Sequence, residues 1–447
     1  MRWLVVTPEY PPHRAGGMLR YYELKTAALS AAGAEVSVVV STPYSSFDDY
    51  VHQGVSVRFV PLADVNRHAD RLTHLSAAPT FRRWIAAGAA AAEWVQSNAG
   101  HVDLIETTDF GLLFAALAGM PDRPPLVVTL HGSIGQISEH EPVAPRDALD
   151  SALARLTEAA VLPCADALHA YSPANAAEWA ARLGRRVDLV PAPLPLPLGP
   201  EAAPEGDFTG AVVARIQPWK GPELLCRAIR GLGPSVPPGL KIAWVGRDTS
   251  AGPDGRSMSA WLAENYSDVW GRSVVPIGPR SATEVAALMA SARFVVVPSS
   301  WDTFNYTLAE AMAHGSVTIG STGAGASYLI EHGRNGFRFE GDDPQALANW
   351  LLYAHSLDEA ERRAIGAAAR ATVASELDPR RSAAAALAAV DALDPAQRPE
   401  PPSPWIRGFF EPDAGHIGPW GAGHLENVSI RELASHLKTR IARKIVG

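Results

Sequence analysis

The stretch from residue 294 to residue 319 places a polar loop between an apolar strand and a helix, which restricts the folds open to this chain. Residues 294–298 read Phe-Val-Val-Val-Pro, a short apolar run typical of a buried strand. A polar segment follows at 299–307, then a helix that Gly315 ends, and Val317 begins another apolar strand. Strands and helices that alternate in this way indicate an α/β sheet. Ligands of such sheets bind at the carboxyl ends of the strands, so residues 299–307 should lie at a binding site.

The same alternation recurs along the chain in two series, with a proline-rich segment between them. Residues 191–204 contain six prolines in fourteen positions, which indicates a stiff interdomain linker. We therefore predict an α/β fold of two doubly wound, Rossmann-like domains that face each other across a cleft. Their predicted bounds are 1–193 for the N-terminal domain, 194–206 for the linker, 207–390 for the C-terminal domain, and 391–447 for a Pro-rich strap with a C-terminal helix.

Composition excludes several classes of protein. The chain has 447 residues and a net charge of −8, which argues against broad nucleic-acid binding. Its two cysteines, Cys164 and Cys226, provide neither a disulfide framework nor a zinc-binding spacing. The chain begins with an apolar strand rather than a signal peptide, and no apolar run is long enough to span a bilayer. We therefore expect a protein of the reducing cytoplasm.

Charged residues surround the polar loop and suit a phosphate-bearing ligand. Asp302 can face a ligand from the loop, and Glu310 can reach vicinal hydroxyls, because a carboxylate accepts two hydrogen bonds side by side. The start of the helix offers free backbone N–H groups and a positive dipole end, which suits a phosphate. Arg215 and Lys220 follow the strand predicted at 211–214, and the turn between them allows both to face one diphosphate.

The first half has its own candidates at predicted strand ends. Gly16 and Gly17 lie between a strand and a helix, where the backbone can approach a charged ligand closely. His131 follows an apolar strand and precedes a glycine, which places it to face a ligand. Glu106 and Asp109 end another strand, so we expect them on the acceptor side of the cleft, with a capped turn as the alternative.

The segment that begins at Asp302 resembles the signature of the retaining glycosyltransferases of family 4, which have the GT-B fold. That signature is an acid, any residue, Phe-Gly, a few apolar residues, then Glu-Ala-Met-Ala and a Gly. With seven residues between the acids the spacing matches, and Phe304, Asn305 and Glu310 stand at the corresponding positions. Two residues depart from the pattern, since the first acid is usually Glu and Asn305 replaces the usual Gly.

The resemblance covers about residues 1–390 and implies the transfer of a sugar from a nucleotide diphosphate-sugar to an acceptor, with retention at the anomeric carbon. It implies that His131 and Asp302 are the catalytic positions at the sugar. It also implies that Glu310 holds the ribose. The donor-binding positions that it implies, beside Glu310, are Gly16, Gly17, Arg215, Lys220, Arg280, Phe304, Asn305, Tyr306 and Thr307.

The nucleotide diphosphate-sugar would then be a co-substrate, since the family needs neither a cofactor nor a metal. The acceptor stays open among a small molecule, a glycan and a lipid-linked group. A nucleotide-binding oxidoreductase is disfavoured because the chain lacks a G-x-G-x-x-G fingerprint. A non-catalytic sugar-nucleotide-binding or scaffold protein of the same fold stays open because of the departures at Asp302 and Asn305.

The end of the chain predicts an amphipathic helix that starts near Ser429. Its apolar stripe consists of Ile430, Leu433, Leu437, Ile441 and Ile445. Its positive charges are Lys438, Arg440, Arg443 and Lys444. The stripe can pack on the protein, on a second subunit or on an anionic membrane surface, and we expect it to pack on the first domain. Peripheral attachment to a membrane and the oligomeric state stay open.

Overall fold

Two parallel sheets dominate the part of the chain that the computed structural model describes. That part comprises residues 1–447 without 14–15, 99, 101, 142–146, 198–206, 395–396, 411–429, 432–433, 436 and 439–447.

The first sheet consists of β1 (Arg2–Thr7), β2 (Glu35–Val40), β3 (Tyr50–His52), β4 (Val55–Phe59), β5 (Leu104–Thr108), β6 (Leu126–Thr129), β7 (Ala167–Ala170) and β8 (Asp188–Leu189). The strands lie in the order β3-β4-β2-β1-β5-β6-β7-β8, and every pair of neighbours is parallel except β3 and β4. The helices of this half are α1 (Gly17–Ala31), α2 (Leu62–Arg71), α3 (Pro79–Asn98), α4 (Leu113–Ala118), α5 (Ile134–His140), α6 (Ala148–Val161) and α7 (Pro173–Leu183).

The second sheet consists of β9 (Gly210–Val213), β10 (Ile242–Val245), β11 (Val274–Gly278), β12 (Phe294–Val297), β13 (Val317–Ser321) and β14 (Phe337–Phe339). It is parallel throughout, in the order β11-β10-β9-β12-β13-β14. The helices that follow the first half are α8 (Pro222–Leu232), α9 (Met258–Asn265), α10 (Ala282–Ser291), α11 (Tyr306–His314), α12 (Pro344–Ser356), α13 (Glu359–Glu376), α14 (Pro379–Asp391) and α15 (Pro404–Phe410).

In each sheet the strand order reverses beside the strand that comes first in the chain. β1 lies between β2 and β5, and β9 lies between β10 and β12. Loops that leave the carboxyl ends of two such neighbours diverge to opposite faces and open a crevice, where α/β sheets bind ligands. The first crevice lies between the loops after β1 and β5, and the second between the loops after β9 and β12. The expected fold of two Rossmann-like domains is confirmed.

The connection from β12 to α11 shows how local sequence sets these elements. All four residues of β12 are buried, as expected for a central strand between two parallel neighbours. The sequence placed the helix after the polar segment 299–307, but α11 already begins at Tyr306, because the side chain of Asn305 accepts a hydrogen bond from the N–H of Leu308. Gly315 ends the helix with a φ of 77°.

The segment that joins the two sheets is packed rather than extended through solvent. Ala192 and Leu194 are buried, and the N–H of Leu194 donates to the carbonyl of Leu377 at 2.8 Å. The hydroxyl of Ser382 in α14 donates to the carbonyl of Pro191 at 2.7 Å, and α14 packs against α1. The last helix of the range predicted for the C-terminal domain therefore rests on the first domain.

The chain continues back across the first domain after α14. Arg398 donates to the carbonyl of Arg123 at 2.8 Å, and Ile406 of α15 is buried in the first-domain core. Of the apolar stripe predicted for the C-terminal helix, Ile430 and Leu437 are described and are exposed. The other stripe residues and the predicted start at Ser429 lie outside the described residues. Among the helices that are described, none is both long and apolar enough to cross a bilayer.

Candidate active site

Lys220 reaches the second crevice because the chain turns tightly after β9. Gly221 has a φ of 76°, a left-handed conformation that glycine adopts without strain. A Cβ at this position would stand 1.9 Å from the carbonyl oxygen of Pro298, which directly follows β12. Glycine is therefore required for the loop after β9 to touch the loop after β12, and the turn brings Lys220 beside Asp302.

Lys220 and Asp302 form an ion pair in this crevice. Nζ of Lys220 donates to Oδ2 of Asp302 at 2.5 Å, and the two side chains are 14% and 13% exposed. Nζ also lies 3.9 Å from the centre of the Trp219 ring, a cation–π contact. From the sequence we expect Lys220 at the diphosphate and Asp302 at the sugar. A diphosphate bound by Lys220 would compete with the Asp302 carboxylate for the same ammonium group.

Asn305 stands where the family pattern has glycine, and its backbone explains why. Its φ of 78° lies in the left-handed region, which asparagine tolerates better than most residues. Oδ1 accepts from the N–H of Leu308 at 3.1 Å, while Nδ2 donates to Oδ2 of Asp302 at 3.0 Å. The substitution therefore keeps the glycine conformation, caps α11 and adds a contact to the acid of the loop.

Glu310 lies in α11 and offers an unused carboxylate. Within the described part of the chain it forms no hydrogen bond and no ion pair. Burial raises the pKa of Glu310 above its usual value, and the charge of nearby Arg20 partly offsets this effect. Arg20 belongs to α1, so a residue of the first domain approaches the second site here. A half-buried carboxylate with free acceptors suits vicinal hydroxyls such as those of ribose.

His131 leaves the carboxyl end of β6 and lies among aromatic rings. Nδ1 pairs with the hydroxyl of Tyr171 at 2.9 Å, whereas Nε2 is buried and has no partner among the described residues. The rings of Tyr21 and Tyr22 lie 4.8 and 4.9 Å from the imidazole. Burial, followed by the charge of Lys25, lowers the pKa of His131 well below its usual value. The lowered pKa favours the neutral imidazole at physiological pH.

Asp109 holds the His131 loop from beneath and does not face the cleft. The residue is fully buried, and its carboxylate accepts from the N–H of His131 at 2.8 Å and of Gly132 at 3.2 Å. Burial raises its pKa to about 7, against the lowering effect of these hydrogen bonds. The expected acceptor-side position is therefore corrected, because Asp109 acts on the loop backbone.

Glu106 is also corrected. The strand that was expected to end there continues to Thr108, which leaves Glu106 inside the sheet and fully buried. Its carboxylate accepts from Lys25 at 2.7 Å, from Thr129 at 2.6 Å and from the Trp3 indole at 2.9 Å. With these three donors the carboxylate is a structural ion-pair partner beneath the site.

The two crevices meet at the loop that carries Asp302. Oγ1 of Thr303 donates to the carbonyl of His131 at 3.0 Å, and the hydroxyl of Ser172 donates to the carbonyl of Thr303 at 2.5 Å. These contacts join residues that are 172 and 131 positions apart in the chain. They bring the two predicted catalytic positions, His131 and Asp302, to one place.

The remaining donor-binding candidates take different positions around this meeting point. Phe304 and Tyr306 are buried, and the ring of Phe304 packs against the rings of Tyr171 and Tyr306. Thr307 donates to the carbonyl of Val213 at 3.1 Å. They line the wall of the site. A Cβ on Gly17 would lie 3.9 Å from the Tyr306 ring, so this glycine of the first domain faces the start of α11.

Arg215 follows the central strand β9, and Arg280 follows the edge strand β11 of the second sheet. Arg215 is exposed directly after β9. Arg280 is exposed after β11, and its guanidinium donates to the carbonyls of Ile277 at 2.6 Å and Pro279 at 3.2 Å. Both side chains are thus at the carboxyl ends of strands, as expected, and Arg280 is tied to its own loop.

Sequence reasoning missed several residues that shape the site. The ring of Trp301 stacks on His140 of α5 with centres 4.2 Å apart, and Gln217 donates to Glu141 at 2.8 Å. Both contacts cross between the domains. The signal in the sequence for this contact was Trp301, which directly precedes the first acid of the signature. Nothing in the sequence paired it with a histidine in a polar loop of the other domain.

Two other features of the described residues lie apart from these contacts. A groove of about 650 Å³ lies between α14 and the β7–β8 edge of the first sheet, where Asp166, Arg185 and Asp188 line it. Within the described part of the chain, no three His, Cys, Asp or Glu side chains are grouped closely enough to hold a metal ion.

Two family models match successive parts of the chain. The one described as "Glycosyl transferase 4-like domain" matches residues 16–195, and the one described as "Glycosyl transferases group 1" matches residues 208–356. Each match falls on one of the two sheets. The chain belongs to the group 1 glycosyltransferases, of the family 4 type. The family is therefore the one that residues 302–315 indicated.

The similar curated proteins are bacterial. The D-inositol 3-phosphate glycosyltransferase of Stackebrandtia nassauensis is 29% identical over 152 residues, which are 33% of this chain and 34% of that protein. The enzyme of the same name from Corynebacterium glutamicum is 30% identical over 156 residues, 34% of this chain and 36% of that protein. The match thus spans about a third of the length of these relatives.

Solved structures with a similar fold align over most of the chain. Sucrose-phosphate synthase from Thermosynechococcus elongatus aligns with a TM-score of 0.67 at 20% identity, over 88% of this chain and 99% of that one. HepE of Anabaena, in complex with UDP and glucose, aligns with a TM-score of 0.64 at 19% identity, over 88% and 100%. At these identities the likeness establishes the GT-B fold alone.

Proposed function

We propose that this glycosyltransferase transfers a sugar from a nucleotide diphosphate-sugar to an acceptor, with retention of the anomeric configuration and without a metal ion. The observation that carries the proposal is the hydrogen bond of 3.0 Å from Thr303 to the carbonyl of His131. It joins the two domains at the point where His131 and Asp302 come together. A site assembled from two domains suits a reaction between two bound substrates, because closure fixes their relative orientation.

The charges of the second crevice suit the leaving group. A departing nucleoside diphosphate gains negative charge in the transition state, and preorganised positive charge stabilises it. Lys220, the exposed Arg215 and the N-terminal end of α11 offer such charge on one edge of the sheet. They take the part that a divalent cation takes in other enzymes, and this is the basis for proposing metal independence.

The sugar would lie between Asp302 and His131. The free Nε2 of His131 can form a hydrogen bond with a sugar hydroxyl, and the neutral imidazole adds no positive charge near an oxocarbenium-like centre. The Asp302 carboxylate supplies negative charge there. Glu310 would hold the ribose hydroxyls through its unused acceptors. We assign no covalent nucleophile.

The comparisons suggest which substrates to test first. HepE, which has a similar fold, was solved in complex with UDP-glucose. UDP-sugars are therefore the first donors to test. The curated relatives named D-inositol 3-phosphate glycosyltransferase make a phosphorylated polyol the first acceptor to try. We place the reaction in the cytoplasm, because the two free, buried cysteines suit a reducing compartment.

The direct test is to incubate the protein with UDP-, GDP- and dTDP-sugars, with and without acceptor, and to measure nucleotide release by mass spectrometry. We expect release with one donor series, retention of the anomeric configuration by NMR of the product, and no loss of rate in EDTA. Asp302→Asn serves as the control for contaminating activity. Nucleotide binding without turnover would instead identify a non-catalytic binding protein of the same fold, which the mutual neutralisation of Lys220 and Asp302 favours.

A further inference from the structure

Asp302 and Asn305 are the two residues at which the chain departs from the family pattern, and the structure joins them directly. Nδ2 of Asn305 donates to Oδ2 of Asp302 at 3.0 Å. Aspartate is one methylene shorter than the usual glutamate, and asparagine adds an amide where glycine has no side chain. The two departures therefore meet in a single contact.

The backbone of Asp302 is held in place independently of its side chain. Its N–H donates to the carbonyl of Gly323 at 2.8 Å, and its carbonyl accepts from the N–H of Gly325 at 3.0 Å. A Cβ on Gly325 would stand 2.2 Å from the carbonyl of Thr303, so this approach needs glycine. With the main chain fixed, the position of the carboxylate depends on two side-chain torsions and on its hydrogen-bond partners.

Both partners of the carboxylate use the same oxygen. Lys220 and Asn305 donate to Oδ2, while Oδ1 accepts no hydrogen bond from the described residues. A donor diphosphate would draw the Lys220 ammonium toward its own oxygens, because phosphate is the more highly charged partner. Asn305, which is fixed by its helix-capping bond to Leu308, would then be the group that still holds Asp302.

We propose that Asn305 is a positioning residue that holds Asp302 against the donor sugar, so that the two residues act as one unit in place of the usual glutamate and glycine. This inference rests on the proposed function. Asn305 would then contribute to turnover as well as capping α11. The effect of replacing Asp302 would depend on whether Asn305 is present, and the reverse.

The test is a double-mutant cycle of Asn305→Gly, Asp302→Glu and the double variant, measured as turnover of UDP-glucose and as affinity for UDP. Glycine accepts the φ of 78°, so the backbone should be retained. We expect each single variant to lose about tenfold in kcat, within the range for contacting residues. UDP affinity should change little. The double variant, which restores the usual pair, should recover most of the loss.

A matched control separates the loss of the helix cap from the loss of the contact. Asp343 caps α12 by accepting from the N–H groups of Gln345 and Ala346, both at 2.9 Å, on a different helix. Asp343→Gly should lower the melting temperature as Asn305→Gly does, but leave kcat unchanged. If Asn305 acted only as a cap, both variants would behave alike.

The outcomes distinguish this inference from the function on which it rests. Additive losses in the double variant, with an active wild type, would overturn the positioning role alone. A wild type that turns over GDP- or dTDP-glucose instead would be put through the same cycle with that donor. A wild type that turns over no sugar nucleotide would overturn the proposed function and this inference together.

Discussion

The two faces of the cleft hold their side chains in opposite ways. On the first domain, Asp109 is fully buried, and His131 is fixed by a hydroxyl, a carboxylate beneath its loop and surrounding rings. On the second domain, Lys220 and Asp302 are partly exposed ions that pair with each other. Glu310 there has no partner among the described residues.

The difference follows from the cost of burying charge. An enclosed face must be neutral or internally paired, since an unpaired buried ion is strongly destabilising. Such a face recognises a neutral group such as a sugar ring by shape and hydrogen bonds. A face that binds a diphosphate needs available charge, and its ions must exchange partners when the ligand arrives. If the proposed function holds, the first face is preassembled, and the second exchanges the Lys220–Asp302 pair for contacts with its ligand.

Removing a cation from the second face should have the largest effect. We expect Lys220→Ala to lower turnover about a hundredfold, because it deletes a charged donor to the leaving group. The assay is steady-state release of nucleotide from the donor identified in the panel. Lys241→Ala is the matched control, since Lys241 precedes β10 at the opposite edge of the same sheet. Equal rates for the two variants would contradict a charged binding face.

Removing the free acid of that face should act on binding. We expect Glu310→Ala to weaken UDP affinity about tenfold or more, the scale of losing hydrogen bonds to a carboxylate. The contact to ribose exists in both the ground and the transition state, so kcat should change less than the affinity. Calorimetry with UDP measures this directly. An unchanged dissociation constant would make Glu310 only a helix residue.

Removing a neutral hydrogen bond from the first face should have a smaller effect than removing either Lys220 or Glu310 from the second face. Tyr171→Phe removes the hydroxyl that pairs with Nδ1 of His131 at 2.9 Å, while the ring packing is kept. We expect a fall in kcat of about tenfold or less, with unchanged UDP affinity. Tyr353→Phe, at a largely exposed tyrosine of α12, is the control. A loss as large as that of Lys220→Ala would remove the contrast between the faces.

The neutral character of the first face also predicts a dependence of stability on pH. Glu158 is 2% exposed beneath α5, accepts from the N–H of Gly135 at 2.8 Å, and has a pKa that burial raises from 4.5 to about 8. Between these values the unfolded chain has lost the proton that the folded protein keeps, so raising the pH favours unfolding.

The uncharged variant Glu158→Gln should escape this loss. Its free energy of unfolding, relative to the wild type, should rise from about pH 5 to about pH 8 and then level off. Urea unfolding of both proteins across this range is the measurement. A constant difference would show that Glu158 is ionised in the folded protein and that the first face carries a buried charge.

Deletion of the C-terminal residues should have the smallest effect. It should act on the first domain and leave the second unchanged. Deleting residues 396–447 removes the buried Ile406 and the bond from Arg398, so we expect the melting temperature to fall by a few degrees, at roughly 2–4 °C per kcal/mol. UDP affinity should be unchanged, since both contacts are to the first domain.

Deleting only residues 412–447 isolates the predicted C-terminal helix. If it packs on the first domain, this truncation also lowers the melting temperature. If it binds an anionic membrane, the melting temperature is kept and sedimentation with anionic vesicles is lost, in a manner weakened by salt. The second result would refute the packing expectation.

The strand ends, the turns and the charged residues at the second crevice could be predicted from the sequence. Lys220, Asp302 and Glu310 were identified because strand periodicity, turn residues and helix starts are local signals. Their spacing along the chain also carries the family signature. The same local signals placed His131 at a strand end, where the structure has it.

The positions of Glu106 and Asp109 could not be predicted, since both depend on partners elsewhere in the chain. β5 continues two residues past Glu106, which leaves Glu106 inside the sheet and against Lys25, 81 positions away. The sequence gives no sign of which buried acid a helical lysine will meet.

By itself, the sequence determined which side chains stand at the carboxyl ends of strands, because hydrogen-bonded elements form according to nearby residues. Only the tertiary structure decided which of them stay partly exposed at the crevices and which are buried against partners inside the protein. Lys220 could have been a free cation, and Asp109 an acceptor-side acid. Their partners are Asp302, 82 positions away, and the backbone of His131. Such pairings follow from the packing of the two sheets and from the high cost of leaving a buried polar group without a partner.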